Sequence, residues 1–231
     1  MDAPALPAPS VDNSQPGPTF DSHWKELKQV GWLFALLLGS SLIAGTRSRF
    51  DASPWPAAIV SGIDALIVLS FAAFRFREIA PLLGRPALDL QRVLILALLA
   101  LSFFAAFNSY FSFIKWTGMP IIRLAGGCEK AGWPTASMFI LVSLMPAFVE
   151  ELAFRGVIQC SLERVTGERQ ALLIQAALFS VLHLLPMMFV SHFFMGLCFG
   201  YMRLRSKSLY PGMALHAGWN AFVLLKEINN F

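Results

Sequence analysis

Charge is what this chain has least of. Asp, Glu, Lys and Arg make up 14% of its 231 residues, against about 25% in an ordinary soluble domain. A soluble chain of this length must coat its surface with polar side chains, and these are too few. The shortage excludes an ordinary soluble globule, and an apolar content of 56% excludes a disordered chain. Cysteine is scarce too. Cys128, Cys160 and Cys198 are too few for a disulfide framework, and two of them lie in apolar runs, where a thiol behaves as a small hydrophobe. Nor is there a concentrated basic face. The net charge of +4 and the pI near 9.2 come from short segments between apolar runs, which reads as membrane topology charge and not as a nucleic-acid surface.

What is present is a series of apolar runs. Crossing the hydrocarbon core takes about 20 apolar residues. Candidate spans fall at 30–45, 55–74, 92–114, 134–154, 171–185, 187–202 and 209–226. The expected fold is all-α: a polytopic membrane helix bundle of about seven transmembrane helices, six to eight, with no sheet. The stretch 171–202 contains Pro186. As one helix it would run about 48 Å, well past the roughly 30 Å core, so two short helices in a tight hairpin are expected. Ahead of the spans, Pro4, Pro7, Pro9, Pro16 and Pro18 mark a disordered tail without the basic start and apolar core of a signal peptide. Residues 22–29 read as an interfacial lead-in. The expected division is therefore 1–29 for tail and lead-in, 30–133 for N-terminal transmembrane scaffold helices, 134–226 for the polar-residue-bearing helices, and 227–231 for the C-terminal end. Lys and Arg concentrate in segments 25–28, 75–92, 164–169 and 203–207, which alternation of the spans puts on the N-terminal side. The expectation is a multi-pass integral membrane protein with a cytoplasmic N-terminus.

A charge at mid-membrane costs at least about 2.5–3.5 kcal/mol, so each one needs a reason. The early spans hold only isolated polar residues such as Asp64 and Asn108, read as packing or polar-contact residues. The last four hold Glu150, Glu151, Arg155, His183, His192, His216 and Asn220. On a helix, Glu151 and Arg155 lie about 40° apart and can pair, whereas Glu150 and Arg155 lie about 140° apart. The two acids should therefore differ in role. Glu151–Arg155 reads as a neutralised pair holding the helix. Glu150, without a local counter-ion, is the candidate general base. Both acids could instead sit at a helix end in headgroup water. Phe179 and His183 share a face at i, i+4, as do His216 and Asn220. A lone histidine in an apolar helix is more often a packing residue, and His192 reads as lining or interfacial. Together, however, a carboxylate, two imidazoles and a carboxamide supply what water attack on a carbonyl requires.

Three motifs occur in order on hydrophobic helices: Glu150-Glu151-x-x-x-Arg155, Phe179-x-x-x-His183 and His216-x-x-x-Asn220. This order resembles the CPBP family of intramembrane proteases, which includes CAAX prenyl protease 2 (the Rce1 type) and the bacterial Abi proteins. The strings Glu150-Glu151-Leu-Ala-Phe-Arg155-Gly156 and Ser208-Leu-Tyr-Pro-Gly-Met-Ala-Leu-His216 strengthen it. The resemblance covers 134–226, making that stretch the catalytic helical region. It implies an intramembrane endopeptidase in which Glu150 activates water with the help of His183, His216 and Asn220 stabilise the oxyanion, and Glu151 and Arg155 support. The alternative within the family is a non-catalytic scaffold or bacteriocin-immunity protein. No cofactor is favoured, because there is no His-Glu-x-x-His helix or Cys pair. Zinc on Glu150, His183 and His216 with a water is the other version. The expected partners are the lipid bilayer and a membrane-associated peptide or protein, with or without a lipid group, and no nucleic acid. A transporter is disfavoured because no half repeats with broken helices.

Overall fold

The computed structural model describes residues 20–48, 53–118, 126–184 and 186–229, and it is helical throughout, with no strand among the described residues. The Pro-rich tail lies outside them. The helices are α1 (Phe20–Ser48), α2 (Trp55–Phe74), the short α3 (Phe76–Ile79), α4 (Leu90–Trp116), the short α5 (Gly126–Lys130), α6 (Thr135–Thr166), α7 (Glu168–Leu182), α8 (Phe189–Ser206) and α9 (Tyr210–Ile228). Four of them, α1, α2, α4 and α6, are long and apolar enough to cross a membrane. The chain is an integral membrane protein built as a polytopic helical bundle.

Two boundaries differ from the sequence expectation, each for a clear reason. The lead-in at 22–29 is the first part of α1, because nothing between Phe20 and Val30 breaks a helix. The span expected at 134–154 continues to Thr166. Its 32 residues make about 48 Å of helix, so the polar last turns stand beyond the hydrocarbon core. Hydropathy marks only the part inside. The hairpin across Pro186 is present as expected, with a 3-10 turn at Pro186–Met188 between α7 and α8.

One end of the bundle is tied by charge. Arg75, at the end of α2, donates to Glu26 of α1 at 2.7 Å and to Glu78 and Gln29. Arg164 near the end of α6 pairs with both Glu26 and Glu78. The loop after α3 bonds the loop after α8 through Leu209 N–H to Leu82 O at 2.9 Å and Ala87 N–H to Ser206 O at 2.8 Å. Segments 25–28, 75–92, 164 and 203–207 therefore share one end, as the charge alternation required. The α7 helix starts at that end. Its 15 residues extend only about 22 Å, short of the roughly 30 Å core. The turn bearing His183 thus lies within the membrane thickness.

The core is aromatic where α4, α8 and α9 meet. Phe103 stacks on Phe107 at 4.3 Å and meets Trp219 edge-on at 5.5 Å and Phe199 at 5.4 Å. The α7 and α8 helices pack tightly. A Cβ on Gly196 would come within 2.6 Å of the Ala176 Cα, so only glycine fits there. The isolated polar residues of the early spans find single partners. Ser40 donates to Asp64, and Asn108 accepts from Lys226 at 2.9 Å.

Candidate active site

The site is built on α6, whose geometry is irregular. Two π-helical stretches interrupt it, at Ile140–Leu144 and Leu152–Ile158. The first directly precedes Met145-Pro146, where proline removes a backbone donor from the ladder. The second begins just after Glu151. Such π-bulges concentrate at functional sites because they re-aim the side chains beside them.

Glu151 and Arg155 are both fully buried and pair at 2.9 Å, as their spacing predicts. Three rings surround the guanidinium: Phe179 at 4.5 Å, Phe199 at 5.3 Å and Phe154 at 5.9 Å. Its other arm reaches the Gly196 carbonyl at 3.4 Å. Glu151 Oε1 also lies 3.2 Å from His216 Nδ1. A carboxylate paired with arginine can only accept, so Nδ1 carries a proton and donates it. His216 is held further by its stack on Phe199, with ring centroids 5.1 Å apart. Gly212, one turn before His216, lets α9 approach, since a Cβ there would lie 3.0 Å from Glu151 Oε2. Ser143 of α6 donates to Ala217 O of α9 at 2.8 Å and locks the same contact.

Glu150 is different, as the helical wheel required. Its Oε2 is buried and without a hydrogen-bond partner among the described residues, and it faces His216 Nε2 at 4.0 Å. The side chain as a whole remains 26% exposed, through atoms other than Oε2. His216 therefore bridges the two acids, one ring nitrogen toward each.

His183 ends α7 beside this group. Phe179 sits between them, 4.8 Å from the His183 ring and 6.2 Å from the His216 ring. No hydrogen bond or ion pair joins His183 directly to Glu150 among the described residues. Asn220 lies one turn past His216 on α9, half-buried and without a hydrogen-bond partner among the described residues. The structure thus brings Glu150, Glu151, Arg155 and His216 into one contact group, sets His183 next to it, and leaves Asn220 on the adjoining turn. It adds His192, which the sequence reading set aside as lining. Its ring lies 3.9 Å from that of His183. The only sequence signal was its position just past Pro186, where a hairpin folds α8 back on α7. Among the described residues no group of three or more His, Cys, Asp or Glu could hold a metal ion. The donors Glu150, His183 and His216 do not form such a group in this arrangement.

Inside a membrane helix bundle, the site sets a carboxylate with one buried, unbonded oxygen opposite an imidazole held by a second acid. Residues 132–222 match the family model of the Rce1-like type II CAAX prenyl endopeptidases, and this part of the chain is a domain of that protease family. All the motif residues lie within the match. The chain has no match among curated proteins and none among solved structures.

Proposed function

We propose that the protein is an intramembrane endopeptidase that hydrolyses a peptide bond of a membrane-associated substrate by water activated at Glu150. What supports this is the unequal treatment of two adjacent acids. Glu151 is neutralised by Arg155 and bonded to His216, so it is spent on structure. Glu150 keeps an unbonded oxygen 4.0 Å from His216 Nε2. That separation is too long for a direct hydrogen bond and suits one water held by both.

In this reading Glu150 takes a proton from the water as it attacks the carbonyl, and His183 assists from the adjoining turn. His216 and Asn220, one helical turn apart, face the developing oxyanion. Because His216 Nδ1–H is committed to Glu151, Nε2 donates only when the ring is an imidazolium. Arg155 and Glu151 hold the ring in place. The substrate class suggested by the family is a peptide ending in a prenylated CAAX sequence, and the charged end of the bundle is placed on the cytoplasmic side.

The test is cleavage of a fluorogenic farnesylated CAAX peptide by the detergent-purified protein. Glu150→Gln should lower the rate by about 10²–10⁴-fold, the usual size of a general-base contribution, with thermal stability unchanged. Full activity in that variant refutes the reading. Normal function of the same variant in cells supports the scaffold or immunity role instead. Exhaustive chelation decides the metal question separately: activity should survive it, and loss reversed by zinc would require a metal route.

A further inference from the structure

Two loops at the charged end are joined into one surface. Leu209 N–H donates to Leu82 O at 2.9 Å, Ser208 Oγ to Gly84 O at 3.0 Å, and Ala87 N–H to Ser206 O at 2.8 Å. The two segments therefore run antiparallel, and Arg85 falls opposite Lys207. Around Lys207 the side chains alternate. Ser206 and Ser208 are fully buried and bonded to backbone carbonyls, while Arg205 and Lys207 are exposed, as is Arg85. Lys207 also ends α8 in the left-handed region, with φ at 53°. Glycine is the usual residue at such a helix end, and a lysine there takes on backbone strain while holding an ammonium at the rim. No carboxylate pairs with Arg85, Arg205 or Lys207 among the described residues. Asp89, just ahead of α4, is taken by Arg92 at 3.5 Å, and Glu163 is taken by Arg203.

The loop after α3 leads directly into α4, one of the spans, so this surface lies where the bundle meets the membrane boundary. Apolar and tyrosine side chains border the cations. Leu88, Leu90 and Tyr210 are exposed, and Arg205 lies over the exposed Tyr201 ring at 5.9 Å. A phospholipid matches both features, its phosphate meeting the cations and its glycerol and first methylenes meeting the apolar border. A soluble anion or an acidic protein segment would leave that border in water. We propose that the joined loops bind the headgroup of an anionic phospholipid, with Arg85, Arg205 and Lys207 as its cationic contacts. Such a lipid fastens the turn between α8 and α9, from which α9 leaves toward His216. The binding is independent of whether the protein cleaves peptides.

Two measurements test this. In the first, Tm of the full chain in dodecyl maltoside is followed as dioleoylphosphatidylglycerol is added, in about 0.15 M salt, where screening reaches about 8 Å. Tm should rise and saturate, and dioleoylphosphatidylcholine should give no such rise. A cation near an anionic lipid surface is worth about fivefold in affinity, so Arg85→Gln/Lys207→Gln should raise the half-saturating concentration by about 25-fold. Lys25→Gln/Lys28→Gln removes the same charge from exposed positions of α1 at the same end and should leave it nearly unchanged. Equal loss in the two double variants means that diffuse charge attracts the lipid, and overturns the proposal. An equal rise in Tm with the phosphatidylcholine, with inorganic phosphate or with a polyglutamate peptide also overturns it, marking a general lipid effect, a free-anion site or a protein-docking face. The second measurement needs no variant. Native mass spectrometry of the wild-type protein released from nanodiscs holding the two lipids in equal amounts should show phosphatidylglycerol retained in preference. Equal retention overturns the proposal.

Discussion

Removing Arg155 puts the largest strain on the reasoning, because so much converges on it. The guanidinium is fully buried, pairs with a fully buried Glu151 at 2.9 Å, and lies over Phe179 and Phe199. In Arg155→Ala the Glu151 carboxylate keeps only His216 Nδ1, at 3.2 Å. Breaking a buried pair by deleting one partner costs about 3–5 kcal/mol, mainly because the other charge is stranded. At about 2–4 °C per kcal/mol for a chain of this size, Tm should fall by about 6–20 °C. The assay is thermal unfolding of the purified protein in one fixed detergent, followed by circular dichroism. The decisive comparison is the double variant Glu151→Leu/Arg155→Met, which removes both charges and keeps the volume. It should recover most of the loss, since apolar replacements of a buried pair are often neutral or stabilising. Two outcomes refute the argument. A loss under about 1 kcal/mol for Arg155→Ala means the pair is not insulated from water. A double variant as unstable as the single one means that packing around the guanidinium, and not the stranded charge, carries the energy.

Gly196→Ala should destabilise by about 1–3 kcal/mol, the usual cost of overpacking, because the new Cβ would meet the Ala176 backbone at 2.6 Å. Gly39→Ala, with open space around it, is the matched control and should be neutral; equal effects in the two variants would mean that the α7–α8 contact is looser than described. Orientation is tested with a membrane-impermeant thiol reagent on cells carrying Lys25→Cys or Lys115→Cys in a background without the native cysteines. Position 25 should react only after the membrane is opened and position 115 before it, and the reverse pattern would place the charged end outside.

Much of the site was legible because helical spacing is a local property. The separation of Glu150 from Glu151 follows from 100° per residue, and Pro186 announces the hairpin. What could not be read is what only the third dimension joins. His216 is 65 residues from Glu151 in sequence, and no periodicity says that its two nitrogens face two acids. The π-helical stretch at Leu152–Ile158 is equally silent, since it changes the hydrogen-bond register without a compositional mark. The far end of α6 was missed because hydropathy detects lipid contact and not helix. The contact of His183 with His192 joins the two arms of the hairpin, and spacing along either helix alone does not contain it.

The same geometry explains how α6 can carry so much polarity inside a bilayer. Glu151, Arg155, Gln159 and Glu163 recur every four residues and so form one stripe. That stripe faces α7 and α8, not lipid. Gly196 O receives Arg155 at 3.4 Å and Gln175 at 2.8 Å, and Gly200 O receives Gln159 at 3.4 Å. At the charged end Glu163 accepts from Arg203 and from Gln159. A helical carbonyl already bonded along its own helix has a second lone pair, but a side chain from a neighbouring helix reaches it only where no Cβ intervenes. The two glycines therefore do two things at once. They let α7 and α8 close up, and they open two carbonyls to the polar stripe. A glycine-to-alanine change is then expected to lose both the fit and the acceptor, which couples the rigidity of the Arg155–Glu151–His216 group to the packing of a helix that contributes no charge to it.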